Sequence, residues 1–367
     1  MSAPAKSLRI IIACGGTGGH LFPGIAVAQE LRSLGHRPLL LISRKQVDAA
    51  GSGRYPDLEF RSVSAIAKPP TFSPRMPLFL WRFACTLLSS ICLVWREKAD
   101  AVLGMGGFTS LAPVLAGYLL RRRTYVHDSN SIPGRANRLT AHFCTTVLLG
   151  LKEAANHLPG RPCRAIGTPV REELLESQPS PQEARTALSL PLDKPLLLVI
   201  GGSQGAQQLN TTMVEAAKAS PQVQMLIIAG EADRARVENL AAGVENVRVV
   251  GFCSEMPTVY AAADAVVARS GASTLTELSV LGKACLLVPY PYAADNHQYY
   301  NARIVAEAGA GVLCEQKDLT PECVKNFVTH ILLNPKALGA MQAAMRSLAK
   351  PNAAHAIAAI VSGIEKA

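Results

Sequence analysis

The chain has 367 residues, of which 49% are hydrophobic and 17% charged, and its formal net charge is +10. This length predicts two domains, and the apolar content is sufficient for two packed cores. The nine cysteines are scattered without a CxxC pair, which argues against a disulfide framework and against a zinc site.

The first residues, MSAPAKSLRIIIACGG, lead directly into an apolar run at residues 8–13. We therefore expect a strand here and no signal peptide. The run ends in the glycine loop CGGTGGH, and a helical pattern follows at residues 23–34. A second strand–glycine loop–helix unit, with the loop GGSQGA, begins about 186 residues later. Two such units predict an α/β fold of two Rossmann-like domains that face each other across a cleft.

Short apolar runs predict further strands at residues 38–42, 101–103, 124–127, 196–200, 225–229, 247–250, 265–268 and 285–288. Residues 164–171 fit a domain connection, because the polar, proline-containing stretch QPSPQEA that follows suits a surface turn. We therefore expect a first domain at residues 1–165 and a second at residues 166–349. A final helix at about residues 350–367 could cross back to the first domain.

Positive charge is concentrated between residues 61 and 125, where nine basic and two acidic residues leave an excess of seven charges. Nucleic acid and an anionic membrane surface are the usual partners of such a region. Aromatic residues make up only 5% of the chain, and no nucleic-acid-binding module is visible. The sequence therefore favours anionic membrane lipids and predicts no nucleic-acid partner.

Residues 76–94, MPLFLWRFACTLLSSICLV, approach the length of a membrane span but carry a polar stripe. The polar positions are Arg82, Thr86, Ser89, Ser90 and Arg96, and the apolar positions opposite them are Leu80, Ala84, Leu87, Ile91 and Trp95. This pattern predicts an amphipathic helix whose apolar face either packs on a core or meets a membrane. The candidates for a membrane-surface patch are Lys68, Arg75, Phe79, Trp81 and Arg82.

The first glycine loop is a poor dinucleotide fingerprint. Leu21 stands where the third glycine is expected, and Ser43, Arg44 and Lys45 follow the second strand without an acid for a ribose diol. Among dinucleotide-binding enzymes, these residues leave only an NADP enzyme as an alternative. The GxxxxGK[ST] motif is missing, which excludes a P-loop ATPase. His20, at the end of the loop, could act as a base or a hydrogen-bond donor, or could simply bond locally at the helix start.

Residues 269–301, RSGASTLTELSVLGKACLLVPYPYAADNHQYYN, place two loops and two helix starts at the carboxyl ends of two predicted strands. Ligands bind at that edge of a parallel sheet, and a helix start offers free N–H groups to phosphate. Glu277 could accept hydrogen bonds from a ribose diol, and the loop around Gln298 suits sugar hydroxyls. Alternatively, Thr274-x-x-Glu277 and Asp295-x-x-Gln298 are two capping boxes.

Seven motifs occur together, in this order: GGTGGH, GMGGF, HDSNSIPG, GTPVR, GGSQGAQQLN, RSGASTLTE and DNHQYYNA. In their order and spacing the chain resembles the peptidoglycan N-acetylglucosaminyltransferases of glycosyltransferase family 28 over nearly its whole length. The resemblance implies a glycosyltransferase type B fold. It also implies inverting transfer of GlcNAc from UDP-GlcNAc to the 4-hydroxyl of MurNAc in undecaprenyl-diphospho-MurNAc-pentapeptide (lipid I), giving lipid II. It further implies a peripheral enzyme at the cytoplasmic face of the inner membrane, without a cofactor, and cell-wall synthesis proteins as candidate partners.

By motif, the resemblance implies that His20 and Asp128 are catalytic and that Gly106 and Gly107 lie on the acceptor side. The substrate-binding residues that it implies are Thr17, Gly18, Gly19, Asn130, Arg171, Ser203, Gln204, Phe252, Cys253, Ala272, Ser273, Thr274, Glu277 and Gln298. Within this set, Thr17 and Asn130 would face the acceptor. Phe252 and Cys253 would lie near uracil, and Ala272 to Thr274 would hold the diphosphate. Glu277 would bind the ribose, and Gln298 the GlcNAc hydroxyls. Ser203 and Gln204 would contact the donor phosphates and sugar.

Three positions depart from the family pattern: Asp128 replaces a usual Glu, Thr168 a usual Asn, and His297 the first of two common glutamines. An inverting transfer needs a base for the acceptor hydroxyl, and we expect His20 rather than Asp128. Helix-start amides near Ser273 could stabilise the leaving group without a metal, and no DxD-type acidic pair occupies a suitable loop. The alternatives are another UDP-sugar enzyme of this fold, such as a 2-epimerase, and a non-catalytic nucleotide-sugar-binding scaffold.

Overall fold

The computed structural model describes residues 7–16, 18–43, 53–63, 73–176, 178–201 and 206–364. The chain divides into two compact units: the first unit comprises residues Met1–Arg171 and Lys350–Ala367, and the second comprises Glu172–Ala349. Each unit is a parallel sheet with helices, so the predicted α/β class with two Rossmann-like domains is confirmed.

In its described part, the first unit has a seven-stranded parallel sheet of order β3-β2-β1-β4-β5-β6-β7. The strands are β1 (Arg9–Ala13), β2 (Arg37–Ser43), β3 (Glu59–Val63), β4 (Ala101–Gly104), β5 (Arg123–Asp128), β6 (Thr146–Leu149) and β7 (Cys163–Ala165). The central strands are continuous apolar runs, because helices cover both faces of such a sheet. Ile10, Ile11 and Ile12 of β1 are accordingly fully buried.

The helices of the first unit are α1 (Gly18–Ser33), α2 (Met76–Arg96), α3 (Phe108–Leu119) and α4 (Arg135–Thr140), with α13 (Ala353–Ser362) from the chain end. Helix α1 begins five residues earlier than the sequence pattern predicts, so His20 lies in its first turn. Ile357 and Ile360 of α13 pack in the same core as Ile10 of β1, and the Tyr125 hydroxyl donates to the Ile360 carbonyl at 3.4 Å. The last helix therefore completes the core of the first unit.

The division between the units falls after Arg171, later than the expected boundary at residues 165 and 166. Ile166 packs against the core of the first unit, and the Gly167 carbonyl lies 3.0 Å from His127 Nε2. A Cβ on Gly167 would meet the Lys350 side chain. These contacts hold the connecting segment to the first unit as far as Arg171.

The second unit has, in its described part, a six-stranded parallel sheet of order β10-β9-β8-β11-β12-β13. The strands are β8 (Leu196–Ile200), β9 (Gln224–Ile228), β10 (Val247–Val250), β11 (Ala265–Ala268), β12 (Ala284–Leu287) and β13 (Val312–Leu313). The helices are α5 (Pro181–Ala187), α6 (Gln207–Lys218), α7 (Arg234–Leu240), α8 (Met256–Ala262), α9 (Ala272–Leu281), α10 (His297–Glu307), α11 (Pro321–Phe327) and α12 (Pro335–Ser347). Leu197, Val267 and Leu286 form the centre of the core, fully buried.

Helix α2 turns a partly different face to its domain than the sequence pattern predicts. Ser90, assigned above to a polar outer stripe, is buried, and its hydroxyl donates to the Thr86 carbonyl at 2.8 Å. Thr86 donates in the same way to the Arg82 carbonyl at 2.9 Å. Hydroxyls that bond back to the preceding turn can be buried without an outside partner. On the predicted apolar face, Leu87 and Ile91 pack against the core, whereas Leu80 and Trp95 are exposed.

A buried polar network joins α6, the end of β9 and α7 in the second unit. The fully buried Asn210 donates to the Ala229 carbonyl at 3.1 Å and to Asp233 Oδ2 at 2.8 Å. Arg236 donates to both carboxylate oxygens of Asp233, at 2.6 and 2.9 Å. The hydrogen bonds from Arg236, and secondarily from Asn210, hold the pKa of Asp233 below its ordinary value of 3.8, although burial opposes them.

We expect Asp233→Asn to lower the free energy of unfolding at pH 7 by about 1.5–3 kcal/mol, because it removes hydrogen bonds to a charged acceptor. A depressed native pKa stabilises the fold above pH 3.8, and this contribution is lost as the pH falls through the native pKa. The difference between wild type and variant in urea unfolding should therefore shrink below about pH 4. An equal difference at pH 7 and pH 3 would contradict this account, and Asp193→Asn, at an exposed acid, is the control.

Candidate functional site

Three loops of the first unit meet at the carboxyl edge of its sheet. Ala13 of β1 pairs with Gly104 of β4, and Gly104 pairs with Val126 of β5. The loops CGGTGGH, GMGGF and HDSNSIPG therefore start side by side, as the parallel arrangement requires. The Thr109 hydroxyl, in the first turn of α3, donates to the Gly15 carbonyl at 2.6 Å and ties two of these loops together.

The His20 ring lies directly against the GMGG loop. A Cβ on Gly106 would lie 3.0 Å from His20 Nε2, and a Cβ on Gly107 would lie 3.3 Å from His20 Cε1. Both glycines also have positive φ, at 116° and 74°, where other residues are strained. The loop thus needs glycine for its backbone and for the space that the imidazole occupies. The structure brings together His20, Gly106 and Gly107, as the sequence predicts for one side of a site.

Asp128, the other predicted catalytic residue, is buried at the end of β5. Its Oδ1 accepts from the Asn130 amide at 2.9 Å and from Asn130 Nδ2 at 3.3 Å. Its Oδ2 accepts from the Gly134 amide at 2.9 Å and from Asn137 Nδ2 at 2.6 Å. A carboxylate has about four acceptor sites, and donors of the loop and of α4 fill them here. The geometry therefore favours Asp128 as the organiser of its loop.

Asn137, in α4, is a site residue that the sequence analysis missed. Its Oδ1 accepts from the Gly107 amide at 3.0 Å, while its Nδ2 donates to Asp128 at 2.6 Å. It therefore connects the GMGG loop to the HDSN loop. The only signal in the sequence is an asparagine near the start of a short helix after a glycine, which is common in helices without any such function.

His127 supports the same edge from inside the domain. The ring is fully buried, and its Nε2 donates to the Gly167 carbonyl at 3.0 Å. Burial lowers the pKa of His127, and because a carbonyl can only accept, Nε2 carries a proton. This bond fixes the GTPVR segment beside β5. Arg171, at the end of that segment, places its guanidinium 4.5 Å from the centre of the Phe22 ring in α1.

In the second unit, the loops after β11 and β12 are neighbours, because Ala268 pairs with Leu287. Helix α9 begins at Ala272, with Gly271 as an N-cap that offers no side-chain hydrogen bond. The first amides of this ten-residue helix therefore have no capping side chain. Thr274 is its third residue and cannot be its N-cap. The capping-box interpretation of Thr274 and Glu277 is thus wrong, because the helix starts earlier than that interpretation needs.

Glu277 lies in the second turn of α9 and is half-buried. Its Oε2 accepts a hydrogen bond of 2.9 Å from the hydroxyl of Tyr260, which belongs to α8. Tyr260 itself is only 1% exposed. The sequence motif indicates Glu277, but nothing local in the sequence indicates this tyrosine as its partner.

Arg269 cross-links the loops of the second unit. Its Nη1 donates to the carbonyls of Val288 and Pro289, both at 3.1 Å, and its Nη2 donates to Gln316 Oε1 at 2.5 Å. The side chain is buried, and this burial lowers its pKa. Sequence analysis gave Arg269 no role. Its partners are mostly backbone carbonyls, and a sequence pattern cannot identify such partners.

Gln298 is held beside the loop after β12. Its Oε1 accepts from the Tyr290 amide at 2.9 Å, and its carbonyl accepts from the Ser270 hydroxyl at 2.8 Å. Helix α10 begins at His297 after the left-handed N-cap Asn296. The capping-box interpretation of Asp295 and Gln298 is therefore also wrong. The amide orientation directs the carbonyl oxygen inward to the loop and makes the NH₂ group the available donor.

For several of the predicted site residues, the structure shows few or no contacts that bear on their predicted roles. Thr17, Lys68, Ser203 and Gln204 lie outside the described residues. Gly18 and Gly19 are the first two residues of α1, and a Cβ on Gly18 would lie 3.3 Å from the Phe22 ring. Phe252 is 72% exposed and Cys253 is half-exposed, in the loop that leads into α8.

Comparison with known proteins agrees with this arrangement. Residues 10–149 match the glycosyltransferase family 28 N-terminal domain, and residues 196–357 match the family 28 C-terminal domain. The UDP-N-acetylglucosamine--N-acetylmuramyl-(pentapeptide) pyrophosphoryl-undecaprenol N-acetylglucosamine transferase of Anaeromyxobacter sp. (strain Fw109-5) is 37% identical over 364 residues. That similarity covers 96% of this chain and 92% of the relative. The chain belongs to glycosyltransferase family 28.

A second relative of this family 28 glycosyltransferase, of the same name, comes from Desulforudis audaxviator (strain MP104C). It is 34% identical, with coverage of 96% of this chain and 98% of the relative. The crystal structure of Acinetobacter baumannii MurG superposes with a TM-score of 0.77 at 26% identity, over 98% of this chain and 100% of that one. The UDP-GlcNAc 2-epimerase of Neisseria meningitidis, at 15% identity and TM-score 0.70 over 95% and 98% of the two chains, shares the fold alone. The predicted type B fold is confirmed.

We expect Asp128→Asn to destabilise the first unit of this family 28 glycosyltransferase. The new NH₂ group must face one of the loop donors, and an unsatisfied buried donor costs about 1–3 kcal/mol. Thermal unfolding should therefore occur at lower temperature, and the amides of Asn130 and Gly134 should exchange faster in deuterium exchange. Unchanged exchange at both amides would contradict the organising role. Asp57→Asn, at an exposed acid of the same unit, should change stability by at most about 0.5 kcal/mol.

Proposed function

We infer that this family 28 glycosyltransferase transfers GlcNAc from UDP-GlcNAc to the 4-hydroxyl of MurNAc in undecaprenyl-diphospho-MurNAc-pentapeptide, with inversion at the sugar carbon. The product is the lipid-linked disaccharide used in peptidoglycan synthesis. The observation that carries this proposal is the whole-length similarity to relatives named for this transfer, at 37% and 34% identity over 96% of the chain. The similarity includes the loop edges of both units.

The second unit is the proposed donor domain. The uncapped amides at the start of α9 suit the diphosphate, because N–H groups and the helix dipole both favour negative charge there. Glu277 would accept hydrogen bonds from the ribose hydroxyls, and the Gln298 NH₂ group would donate to GlcNAc hydroxyls. Phe252 and Cys253 would lie near uracil, and Ser203 and Gln204 near the phosphates and sugar.

The first unit is the proposed acceptor domain, and His20 is its proposed base. The imidazole would take the proton of the 4-hydroxyl as that oxygen bonds to C1 of GlcNAc and the bond from C1 to the UDP oxygen breaks. A positioned base contributes typically ~10²–10⁴-fold to the rate. Amides at the start of α9 would stabilise the charge that develops on departing UDP. Thr17, Asn130, Gly106 and Gly107 would form the remaining acceptor surface.

The deciding experiment supplies UDP-GlcNAc with and without a short-chain, water-soluble lipid I analogue. We expect UDP release that depends on the analogue and an inverted, singly glycosylated product by mass spectrometry and NMR. A 2-epimerase would instead change the UDP-sugar without an acceptor, and that outcome would overturn the proposal. A non-catalytic scaffold would bind the UDP-sugar and release no UDP.

In the same assay, His20→Gln should lower turnover by ~10²–10⁴-fold, because the amide cannot accept the proton. The affinity for UDP, measured by calorimetry, should stay within about twofold, since most of the proposed donor residues belong to the other unit. Turnover near the wild-type value would remove His20 as the base. Loss of UDP affinity together with turnover would point to a binding role.

The proposed membrane contact is the outer face of α2. Trp81 and Trp95 are 69% and 66% exposed, and Leu78 and Leu88 lie exposed on the same stripe of the helix. The helix is long and apolar enough to cross a membrane by length and composition. Its inner face, however, is packed: Ser90 and Val94 are buried. An apolar stripe on a helix that is fixed to a domain suits a peripheral contact with the inner membrane, on its cytoplasmic face.

Basic side chains extend this surface. Arg75, Arg82 and Arg96 of the α2 segment are exposed, and each can contribute about 1 kcal/mol near an anionic leaflet. Phe79 belongs to the packed side instead, since its ring contacts those of Phe83 and Phe108 at 6.2 and 6.1 Å between centroids. We therefore assign the contact to Trp81 and Trp95 and exclude Phe79. A lipid-linked acceptor would reach the enzyme at this surface.

Trp81→Ser combined with Trp95→Ser should strongly reduce co-sedimentation with vesicles that contain phosphatidylglycerol, because the apolar insertion is lost. Remaining binding should be electrostatic and should fall as salt rises. Turnover on the water-soluble acceptor should be unchanged, since both side chains are exposed. Tyr292→Ser, at an 81% exposed aromatic residue of the second unit, is the matched control. Wild-type vesicle binding by the double variant would place the membrane surface elsewhere.

A further inference from the structure

Helix α8 lies in sequence between two parts of the proposed donor site. It follows directly after the loop with Phe252 and Cys253, and its Tyr260 reaches Glu277 in α9. The tyrosine ring is 1% exposed, whereas the carboxylate that its hydroxyl contacts is half-exposed at the edge of the sheet. One end of this hydrogen bond is thus embedded in the core, and the other reaches the surface where the donor is proposed to bind.

We infer that Tyr260 is a positioning residue that orients the Glu277 carboxylate toward the ribose of the UDP-sugar. This inference rests on the proposed function, since it takes Glu277 as the ribose ligand. The hydroxyl donates to Oε2 at 2.9 Å, and a hydrogen bond to an ionised acceptor is stronger than a neutral one. It therefore holds the carboxylate in one orientation.

The direction of this dependence follows from burial. Tyr260 is fixed by the core on all sides of its ring, so its hydroxyl has one position. Glutamate has several rotatable bonds, and ordering such a side chain costs up to roughly 1.5–2 kcal/mol. A carboxylate that is ordered before the ligand arrives avoids that cost during binding. The rigid tyrosine thus sets the position of the flexible glutamate.

A purely structural role for the hydrogen bond fits less well. A buried tyrosine needs a partner for its hydroxyl, and Tyr125 meets that need with the Ile360 carbonyl and with Arg123. Tyr260 bonds instead to an acid in the second turn of α9. That acid does not cap its own helix, because α9 begins at Ala272, ahead of Thr274. Helix capping therefore does not explain why an acid stands at Glu277.

The inference also predicts sugar specificity. An oriented carboxylate can accept from the 2′- and 3′-hydroxyls of ribose, so the absence of the 2′-hydroxyl leaves part of its hydrogen bonding unsatisfied. Such a site rejects an analogue that lacks the hydroxyl more strongly than an apolar pocket does. Tyr260 should therefore increase the preference for UDP over 2′-deoxy-UDP.

The test is Tyr260→Phe, which removes the hydroxyl and keeps the packed ring. We expect the dissociation constant of UDP and the KM for UDP-GlcNAc to rise roughly tenfold, with kcat unchanged. The preference for UDP over 2′-deoxy-UDP, measured by calorimetry, should fall severalfold. Loss of stability alone would not change that preference. Tyr125→Phe also removes a buried hydroxyl, but in the first unit. It should leave the dissociation constant of UDP, the KM for UDP-GlcNAc and the nucleotide preference unchanged.

Glu277→Gln separates the inference from the proposed function. If this variant keeps wild-type UDP affinity and nucleotide preference, the ribose role of Glu277 fails, and the inference fails with it. If Glu277→Gln loses UDP affinity and nucleotide preference while Tyr260→Phe keeps them, only the positioning role of Tyr260 is overturned. The double variant should bind UDP no more weakly than Glu277→Gln alone, because Tyr260 acts through the carboxylate. If the losses of UDP affinity in the two single variants added up in the double variant, Tyr260 would not act through the Glu277 carboxylate.

Discussion

The parallel arrangement of the strands is the constraint on which both halves of this protein depend. All strands of such a sheet end at one edge, so loops that are far apart in sequence become neighbours in space. The pairing of Ala13 with Gly104, and of Ala268 with Leu287, sets which loops meet. Loops this close leave little room for side chains. Gly106 and Gly107 are required where the His20 ring lies against the backbone.

In each unit, one buried polar side chain joins two of these loops. Asn137 links the GMGG loop to Asp128 in the first unit, and Arg269 links the loops after β11 and β12 in the second. Both side chains use backbone or amide partners for most of their bonds. This support orders the edge before any ligand binds, which is what precise binding or catalysis requires. Tyr260 acts on Glu277 in the same way, from the core outward.

Helix α2 buries only part of the face that its apolar residues suggest. A domain helix normally buries its most apolar stripe, yet α2 buries Ser90 and exposes Trp81 and Trp95. The buried hydroxyl is satisfied within the helix, so the polar residue costs little inside. The exposed tryptophans form the apolar stripe that is proposed above as the membrane contact.

Much of the fold could be predicted from the sequence. Most strands of both sheets appear as apolar runs, and β8 and β11 match their predicted bounds. The missed strands are short or lie near an edge, as with the polar β3 and the two-residue β13. Apolar alternation is weak in β3 and β13 because only part of each is buried, whereas the fully buried β6 has only four residues, too few for a clear pattern. The sequence motifs also indicate His20, Glu277 and Gln298 as candidates, but not the residues that contact them.

The sequence by itself determined the fold class, the two glycine-loop units and the family, because these depend on local patterns and on motifs kept in order. Only the tertiary structure decided that Asp128 is saturated by loop donors, that Asn137 and Tyr260 support the site, and which face of α2 is buried. The physical reason is the range of the interactions. Hydrophobic period and turn chemistry act within a few residues, whereas these contacts join side chains from separate elements whose proximity exists only after packing.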